Sequence, residues 1–318
     1  MIDLNGRWTL KNVADNMEYA AQVPSCNYLD LMANGAIEDP FKGTNEKDCL
    51  WVAENDWSWF RHFEVTAEEL SADRLVLVCE QLDTLATVLV NREAVAYADN
   101  CHVRHEFDIK KFLKAGKNQI EIIISSPVKY ISEQRALYRT PANPNGIDGI
   151  DRIRKPQSHF GWDWGPVLPP SGITGSIYID VRNAAHINEF AVTQTHDGGS
   201  VGVRFDVAAE RLNDRAAPSV TAELVCPDGR VLSARREYAD KSTFCFTVPD
   251  PELWWPNGMT ARKEQPLYEC RVRLEENGTT VSAQSKKIGL RKIELDRSAD
   301  AYGSNFRFVV NGKRVFCK

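Results

Sequence analysis

Alternating apolar and polar positions dominate the chain. Four stretches rich in β-branched residues show this pattern: "RLVLVCE", "LATVLV", "NQIEIIISSP" and "SIYIDV". Turn residues separate them at short intervals, so each predicts a β-strand. Helical periodicity is sparse and predicts two short helices, in "SCNYLDLMANG" and "VKYISEQRALYR". Because strands do not alternate with helices, we expect an all-β fold rather than a parallel α/β sheet.

A second group of strand patterns follows the link "VRNAAHINEF". Its segments are joined by "HDGGS", "PDGR" and "EENGT", whose Gly-Gly, Asp-Gly and Asn-Gly pairs suit tight hairpins. About five strands in roughly a hundred residues are typical of a β-sandwich. We therefore predict a first domain at residues 1–183 and a second at 184–296.

The last segment, residues 297–318, differs from both. "RSADAYGSNFRF" is rich in turn residues, "FVVNGKRVF" predicts a hairpin, and an apolar run directly precedes Lys318. An apolar strand without a pairing partner is an aggregation hazard. We therefore expect the polypeptide to continue into a further domain.

Charge and composition exclude several classes of partner. The chain has 39 Lys and Arg against 44 Asp and Glu, a net charge of −5, and no basic run stands out. This disfavours nucleic acids and anionic membrane surfaces. The N-terminus "MIDLNGRWTL" lacks the features of a signal peptide, so we expect a cytoplasmic protein. The eight cysteines form no CxxC pair, and we interpret them as buried free thiols.

The common catalytic and metal-binding motifs are absent from the sequence. No HExxH, P-loop, GxSxG or GxGxxG occurs, and only His102 and His105 approach a ligand spacing. In a strand, residues at i and i+3 point to opposite faces and cannot hold one ion. We expect neither a metal nor a cofactor.

The octapeptide "HFGWDWGP", residues 159–166, is the strongest candidate for a site. Gly161, Gly165 and Pro166 predict an irregular loop. An indole beside a carboxylate suits a pyranose, which presents apolar C–H faces edged by hydroxyl groups. The alternative is that both indoles seal a core and Asp163 caps a turn. The preceding loop at 143–160 is long, which favours a functional role.

Nine motifs follow one another along the chain: "LNGRWTL", "VPSCNYLDLMANGAIEDPF", "WFRHFEV", "LDTLATVLVN", "ADNCHVRHEFDI", "RKPQSHFGWDWGP", "LWWPNG" with "QPLYECRV", "IGLRKIEL" and "FRFVVNGKRVFCK". In this order they resemble the non-catalytic front half of β-mannosidases of glycoside hydrolase family 2. "FGWDWGP" distinguishes these from the β-galactosidases and β-glucuronidases of that family.

The resemblance implies a jelly-roll sugar-binding-like β-sandwich, an immunoglobulin-like β-sandwich and then a TIM barrel, whose entry strand begins in residues 297–318. It also implies retaining hydrolysis of terminal β-mannosides by two barrel glutamates beyond Lys318. The 318-residue chain would then hold no catalytic residue and be inactive alone. Trp162 and Asp163 would contact the β-mannoside or manno-oligosaccharide substrate, and Trp164 would serve in packing.

Two other functions stay open at this point. The chain could be a free-standing carbohydrate-binding module, which an exposed flat aromatic platform would favour. It could also be a β-sandwich interaction protein without a ligand. A hairpin at "NRE" after "TVLV" has Asn91-Arg92 where Asn-Gly is common, so its turn type is open.

Overall fold

The computed structural model describes residues 1–138, 141–142, 146–260 and 265–317. The chain divides into two compact units, Met1–Val181 and Arg182–Lys318. The predicted domain boundary after residue 183 and the predicted separate segment at 297–318 stay predictions.

The first unit consists mainly of short strands, and the two predicted helices form at Asn27–Ala33 and Pro127–Leu137. The 3-10 helices span Lys110–Phe112, Ile150–Arg152 and Gln157–His159. The α-helices are α1 (Asn27–Ala33), α2 (Asn45–Asp48), α3 (Leu50–Ala53), α4 (Ala67–Ser71) and α5 (Pro127–Leu137). The strands are β1 (Ile2–Asp3), β2 (Gly6–Asn12), β3 (Glu18–Val23), β4 (Trp57–Val65), β5 (Arg74–Cys79), β6 (Leu82–Asp83), β7 (Ala86–Val90), β8 (Glu93–Ala98), β9 (His105–Asp108), β10 (Gly116–Ile124), β11 (Phe160–Trp162), β12 (Gly165–Val167), β13 (Gly172–Ile173) and β14 (Ile177–Arg182).

Two sheets form the body of this unit. One has the order β3-β2-β4-β10-β7-β8 and the other β1-β14-β5-β9, while β11-β12 and β6-β13 are separate two-stranded pairs. Period-2 alternation explains the packing: in β10, Ile120, Ile122 and Ile124 are fully buried. They join a core that includes Trp57 and Trp59 of β4. The predicted jelly-roll sandwich is confirmed.

The second unit is a sandwich followed by small sheets. Its described strands are β15 (Ala185–Asp197), β16 (Ser200–Arg211), β17 (Ser219–Val225), β18 (Val231–Glu237), β19 (Lys241–Pro249), β20 (Tyr268–Glu276), β21 (Thr279–Ile288), β22 (Ile293–Asp296), β23 (Ala299–Asp300), β24 (Gly303–Ser304), β25 (Arg307–Val310) and β26 (Lys313–Val315). Sheet β15-β16-β19 faces sheet β18-β17-β20-β21 in the sandwich, and the small sheets β22-β25-β26 and β23-β24 follow.

Alternation again determines which side chains face the core of the second unit. Val201, Val203, Phe205 and Val207 of β16 are buried at every second position, as the predicted immunoglobulin-like sandwich requires. The predicted tight turn at Asn-Gly also forms. Asn277 adopts φ 49° and Gly278 φ 79° between β20 and β21, the left-handed pair of a type I′ turn.

Candidate functional site

The octapeptide at 159–166 forms a short β-hairpin, so the predicted irregular loop is wrong. Phe160 pairs with Val167 and Trp162 with Gly165, leaving Asp163 and Trp164 as a two-residue turn. The glycine and proline residues, which usually break strands, fit this hairpin for local reasons. Gly161 takes φ 100°, which favours glycine, and Pro166 lies between the paired positions, where its missing N–H is not needed.

The tip of this hairpin presents two indoles and a carboxylate to solvent. Trp162 is 46% exposed and Trp164 is 82% exposed, and Asp163 between them is also exposed. The two indole rings lie 5.6 Å apart, tilted by 58°. The alternative that both indoles seal a core is therefore wrong. The packing role predicted for Trp164 is also wrong within the first unit.

The Asp163 carboxylate has its full capacity to accept hydrogen bonds. Within the described ranges it makes no hydrogen bond and no ion pair, and so it does not cap the turn in which it lies. An unpaired carboxylate beside apolar ring faces can accept hydrogen bonds from two hydroxyl groups of one ligand. This combination fits a polyol with an apolar face, which is the chemistry of a pyranose.

A small separate core holds the base of the hairpin. Phe160 is fully buried against Leu85, Ile131 of α5 and Ile153. Its carbonyl oxygen accepts a hydrogen bond from the Ile147 N–H at 3.0 Å. The exposed tip therefore extends from an anchored base and not from a free loop.

A buried ion pair lies in the segment that leads into the hairpin. Lys155 Nζ is 2.5 Å from Asp83 Oδ2, and the two side chains are 0% and 4% exposed. Lys155 Nζ also donates to the Pro170 carbonyl at 2.7 Å, and Thr84 Oγ1 donates to Asp83 Oδ1. Burial lowers the pKa of Lys155, and the Asp83 carboxylate opposes that shift. The pair ties β6 to the chain just before Phe160.

His159 lies beside this pair. Its Nδ1 is 3.9 Å from Asp83 Oδ2 and has no hydrogen-bond partner in the described part of the chain. Burial and the Lys155 cation lower the pKa of His159 below its ordinary 6.5, against the opposing effect of Asp83. The imidazole is therefore neutral at pH 7, immediately before the buried Phe160.

The sequence predicted Trp162 and Asp163 as site residues, and the structure places both at the exposed hairpin tip, while their binding role stays a prediction. The sequence did not point to Asp83 or Lys155. The signal for Lys155 was weak: a lysine in a Gly- and Pro-rich loop. Asp83 is 72 residues away in the chain, and no periodicity links residues at that separation.

His105 serves local structure, and His102 lies in a turn rather than in a strand with it, as the sequence argument had assumed. His105 Nε2 is 2.8 Å from the Asn100 carbonyl oxygen, and its ring stacks on Phe107. Among the described residues, no group of three or more His, Cys, Asp or Glu side chains could hold a metal ion. In the same residues, no helix combines the length and apolar character needed to span a bilayer.

Comparison with known proteins identifies the family. Residues 8–175 match the glycosyl hydrolase 2 galactose-binding domain-like family, and residues 185–291 match glycosyl hydrolases family 2. The first match alone covers more than half of the chain. The chain therefore belongs to glycosyl hydrolase family 2.

Its relatives include β-mannosidases. The chain is 31% identical to the β-mannosidase of Capra hircus, with 100% of the chain and 38% of the relative covered. It is 32% identical to β-mannosidase B of Aspergillus terreus, with 98% and 37% covered. The chain thus spans less than two fifths of the length of these relatives.

Solved structures agree with the fold. A β-D-mannosidase from Dictyoglomus thermophilum superimposes with a TM-score of 0.92 at 31% identity, covering 100% of this chain and 39% of that one. An exo-chitosanase from Amycolatopsis orientalis superimposes with a TM-score of 0.72 at 19% identity, covering 99% and 36%. The second likeness extends to the fold alone.

Proposed function

We propose that the chain is the N-terminal accessory region of an exo-acting, retaining β-mannosidase that removes terminal β-D-mannose from β-mannosides. The observation that carries this proposal is the anchored hairpin, which exposes Asp163 between two indoles. The β-mannosidase names of the relatives supply the substrate class.

In this proposal the hairpin tip contributes part of the mannose pocket. The Asp163 carboxylate accepts hydrogen bonds from sugar hydroxyls, and the Trp162 indole forms an apolar wall against the C–H face of the ring. Anchoring by Phe160 limits the freedom that the tip would lose on binding, which preserves affinity.

The catalytic residues belong to a downstream TIM barrel in this proposal. Two glutamates about 5 Å apart act there as nucleophile and acid/base, as retaining hydrolysis requires. Residues 297–318 lead into that barrel, which is the intramolecular partner of the hairpin. The 318-residue chain alone is then inactive.

The tilt of the indoles argues against a free-standing carbohydrate-binding module. Rings inclined by 58° do not form one flat platform on which an extended glycan could lie. Isolated-chain binding distinguishes the two functions, because half a pocket binds a mannoside very weakly.

The proposal is tested by comparing the 318-residue chain with a version extended through the barrel. Both receive a chromogenic β-mannoside, with the matching β-galactoside and β-glucuronide as controls. We expect hydrolysis only by the extended protein and only of the β-mannoside. A preference for either control substrate, or turnover by the shorter chain, would contradict the proposal.

A further inference from the structure

A polar cavity lies on the first unit, built from segments other than the 159–166 hairpin. It is an open depression of about 320 Å³. The turn between β7 and β8, the loop before β10 and the start of β10 supply most of its wall. Its lining residues are His62, Asn91, Arg92, Lys114, Lys117, Asn118 and Gln119.

The cavity concentrates positive charge in a chain whose net charge is −5. Arg92, Lys114 and Lys117 are exposed, and none of them forms an ion pair within the described ranges. Among the described residues that line the cavity, none is acidic. Three unneutralised cations around one depression attract an anion, which relieves their mutual repulsion.

Two buried or half-buried amides hold the loops that carry these cations. Asn118 is 1% exposed, and its Oδ1 accepts from the Lys114 N–H at 3.0 Å while its Nδ2 donates to the carbonyls of Lys114 and Gly116. Asn91 Nδ2 donates to Asn118 Oδ1 at 2.8 Å, and Asn91 Oδ1 accepts from the Gln119 N–H. The backbones that carry the three cations are therefore linked by side-chain hydrogen bonds before any ligand binds.

The turn at Asn91-Arg92 independently indicates that the Arg92 side chain has a role at the cavity. Asn91 has φ 51° and Arg92 φ 72°, so both residues are left-handed, as in a type I′ turn. Glycine suits the second position of such a turn, because a Cβ is disfavoured there. An arginine occupies the position where glycine would fit better, and its side chain lines the cavity.

Neutral polar groups complete the wall. The Gln119 amide side chain and the His62 imidazole, neighbours across the β10–β4 ladder, make no hydrogen bond to the described part of the chain. They can donate to or accept from hydroxyl groups of a ligand. The volume lies at the lower end of the range of small-molecule sites, larger than a simple oxyanion needs.

We propose that this cavity binds an acidic saccharide. The anionic group of the saccharide lies between Arg92, Lys114 and Lys117. The Arg92 guanidinium can bind a carboxylate through two parallel hydrogen bonds. Its hydroxyl groups contact Gln119 and His62. The site would hold a charged part of a glycan and is separate from the proposed mannose contact at Asp163.

The test is calorimetric titration of the 318-residue chain with trigalacturonic acid, a neutral manno-trisaccharide and sodium sulfate. We expect the uronate to bind, and to bind more weakly at high salt. The neutral trisaccharide and sulfate should both have lower affinity for the chain than the uronate. The variant Arg92→Gly/Lys114→Gln/Lys117→Gln should bind the uronate at least about tenfold more weakly. Each exposed ion pair contributes little by itself, but this variant removes three of them at once. The glycine suits the turn, so this variant should fold.

The matched control is Lys47→Gln/Arg215→Gln/Lys241→Gln, which removes the same number of positive charges at exposed positions outside the cavity. It should bind the uronate as the parent chain does. Equal weakening in both variants, sulfate or neutral-sugar binding as tight as the uronate, or no uronate binding at millimolar concentration would each overturn the proposal.

Discussion

Replacing Lys155 by methionine should leave the Asp83 carboxylate buried without its cation. Both side chains are almost completely buried, at 0% and 4% exposure, so solvent cannot take the place of the missing amine. Removing one partner of a buried pair costs about 3 to 5 kcal/mol, because the other charge stays desolvated. We expect a loss of this size in the free energy of unfolding of the first unit.

The reverse replacement separates charge burial from packing. In Asp83→Asn, the burial that already lowers the pKa of Lys155 allows the amine to give up its proton, so this variant should lose less stability. In the double variant Asp83→Asn/Lys155→Met no buried charge remains, and the two losses should not add.

The assay is urea unfolding of the 318-residue chain followed by tryptophan fluorescence. Trp8, Trp57 and Trp59 are buried in the first unit and report on its transition, which is fitted separately because the chain has two units. A loss below about 1 kcal/mol for Lys155→Met, or a double variant as unstable as the sum of both single variants, would refute the buried-pair reasoning.

Two further predictions concern the same unit. Because the folded pKa of His159 lies below its unfolded value, the unfolded state binds protons first. The contribution to stability is complete above the unfolded value of about 6.5, and it is lost as the pH falls from there through the lower folded pKa. Urea midpoints at pH 7.5 and 5.5 should therefore differ more in the parent chain than in His159→Gln, and equal differences would contradict this. In Gly172→Ala a new Cβ would lie 2.3 Å from the Ser25 carbonyl oxygen, and we expect a loss of about 1 to 3 kcal/mol or more. Gly165→Ala, with no atom within 4 Å of its Cβ, is the control and should change stability by less than about 0.5 kcal/mol; similar melting temperatures for the two variants would show that the close approach is absent.

Local patterns were sufficient to predict most of the fold. Alternation predicted strands such as β10 and β16 because each needs only one buried face. Asn277-Gly278 predicted its turn because both residues tolerate positive φ. These features depend on residues that are close together in the chain.

The candidate site was predictable only in part, for a physical reason. Gly161 and Pro166 are usually strand breakers, yet a hairpin of three-residue strands accommodates both, so its regular structure was missed. The Lys155–Asp83 pair depends on a contact across 72 residues, which only the folded chain establishes. Exposure of Trp164 likewise depends on what surrounds the turn rather than on its own sequence.

The proposed binding of the terminal mannose by the Asp163 carboxylate can be measured as kcat/KM for a chromogenic β-mannoside in the barrel-containing protein. The comparison is between Asp163→Ala and Asp99→Ala, which removes an exposed carboxylate elsewhere on the first unit. Loss of a carboxylate that hydrogen-bonds to the transition state costs about 2 to 4 kcal/mol of transition-state stabilisation. The value of kcat/KM should therefore fall roughly 30-fold to 900-fold in Asp163→Ala and stay unchanged in Asp99→Ala. An Asp163→Ala enzyme that folds normally and keeps kcat/KM within about twofold of the parent would contradict the account.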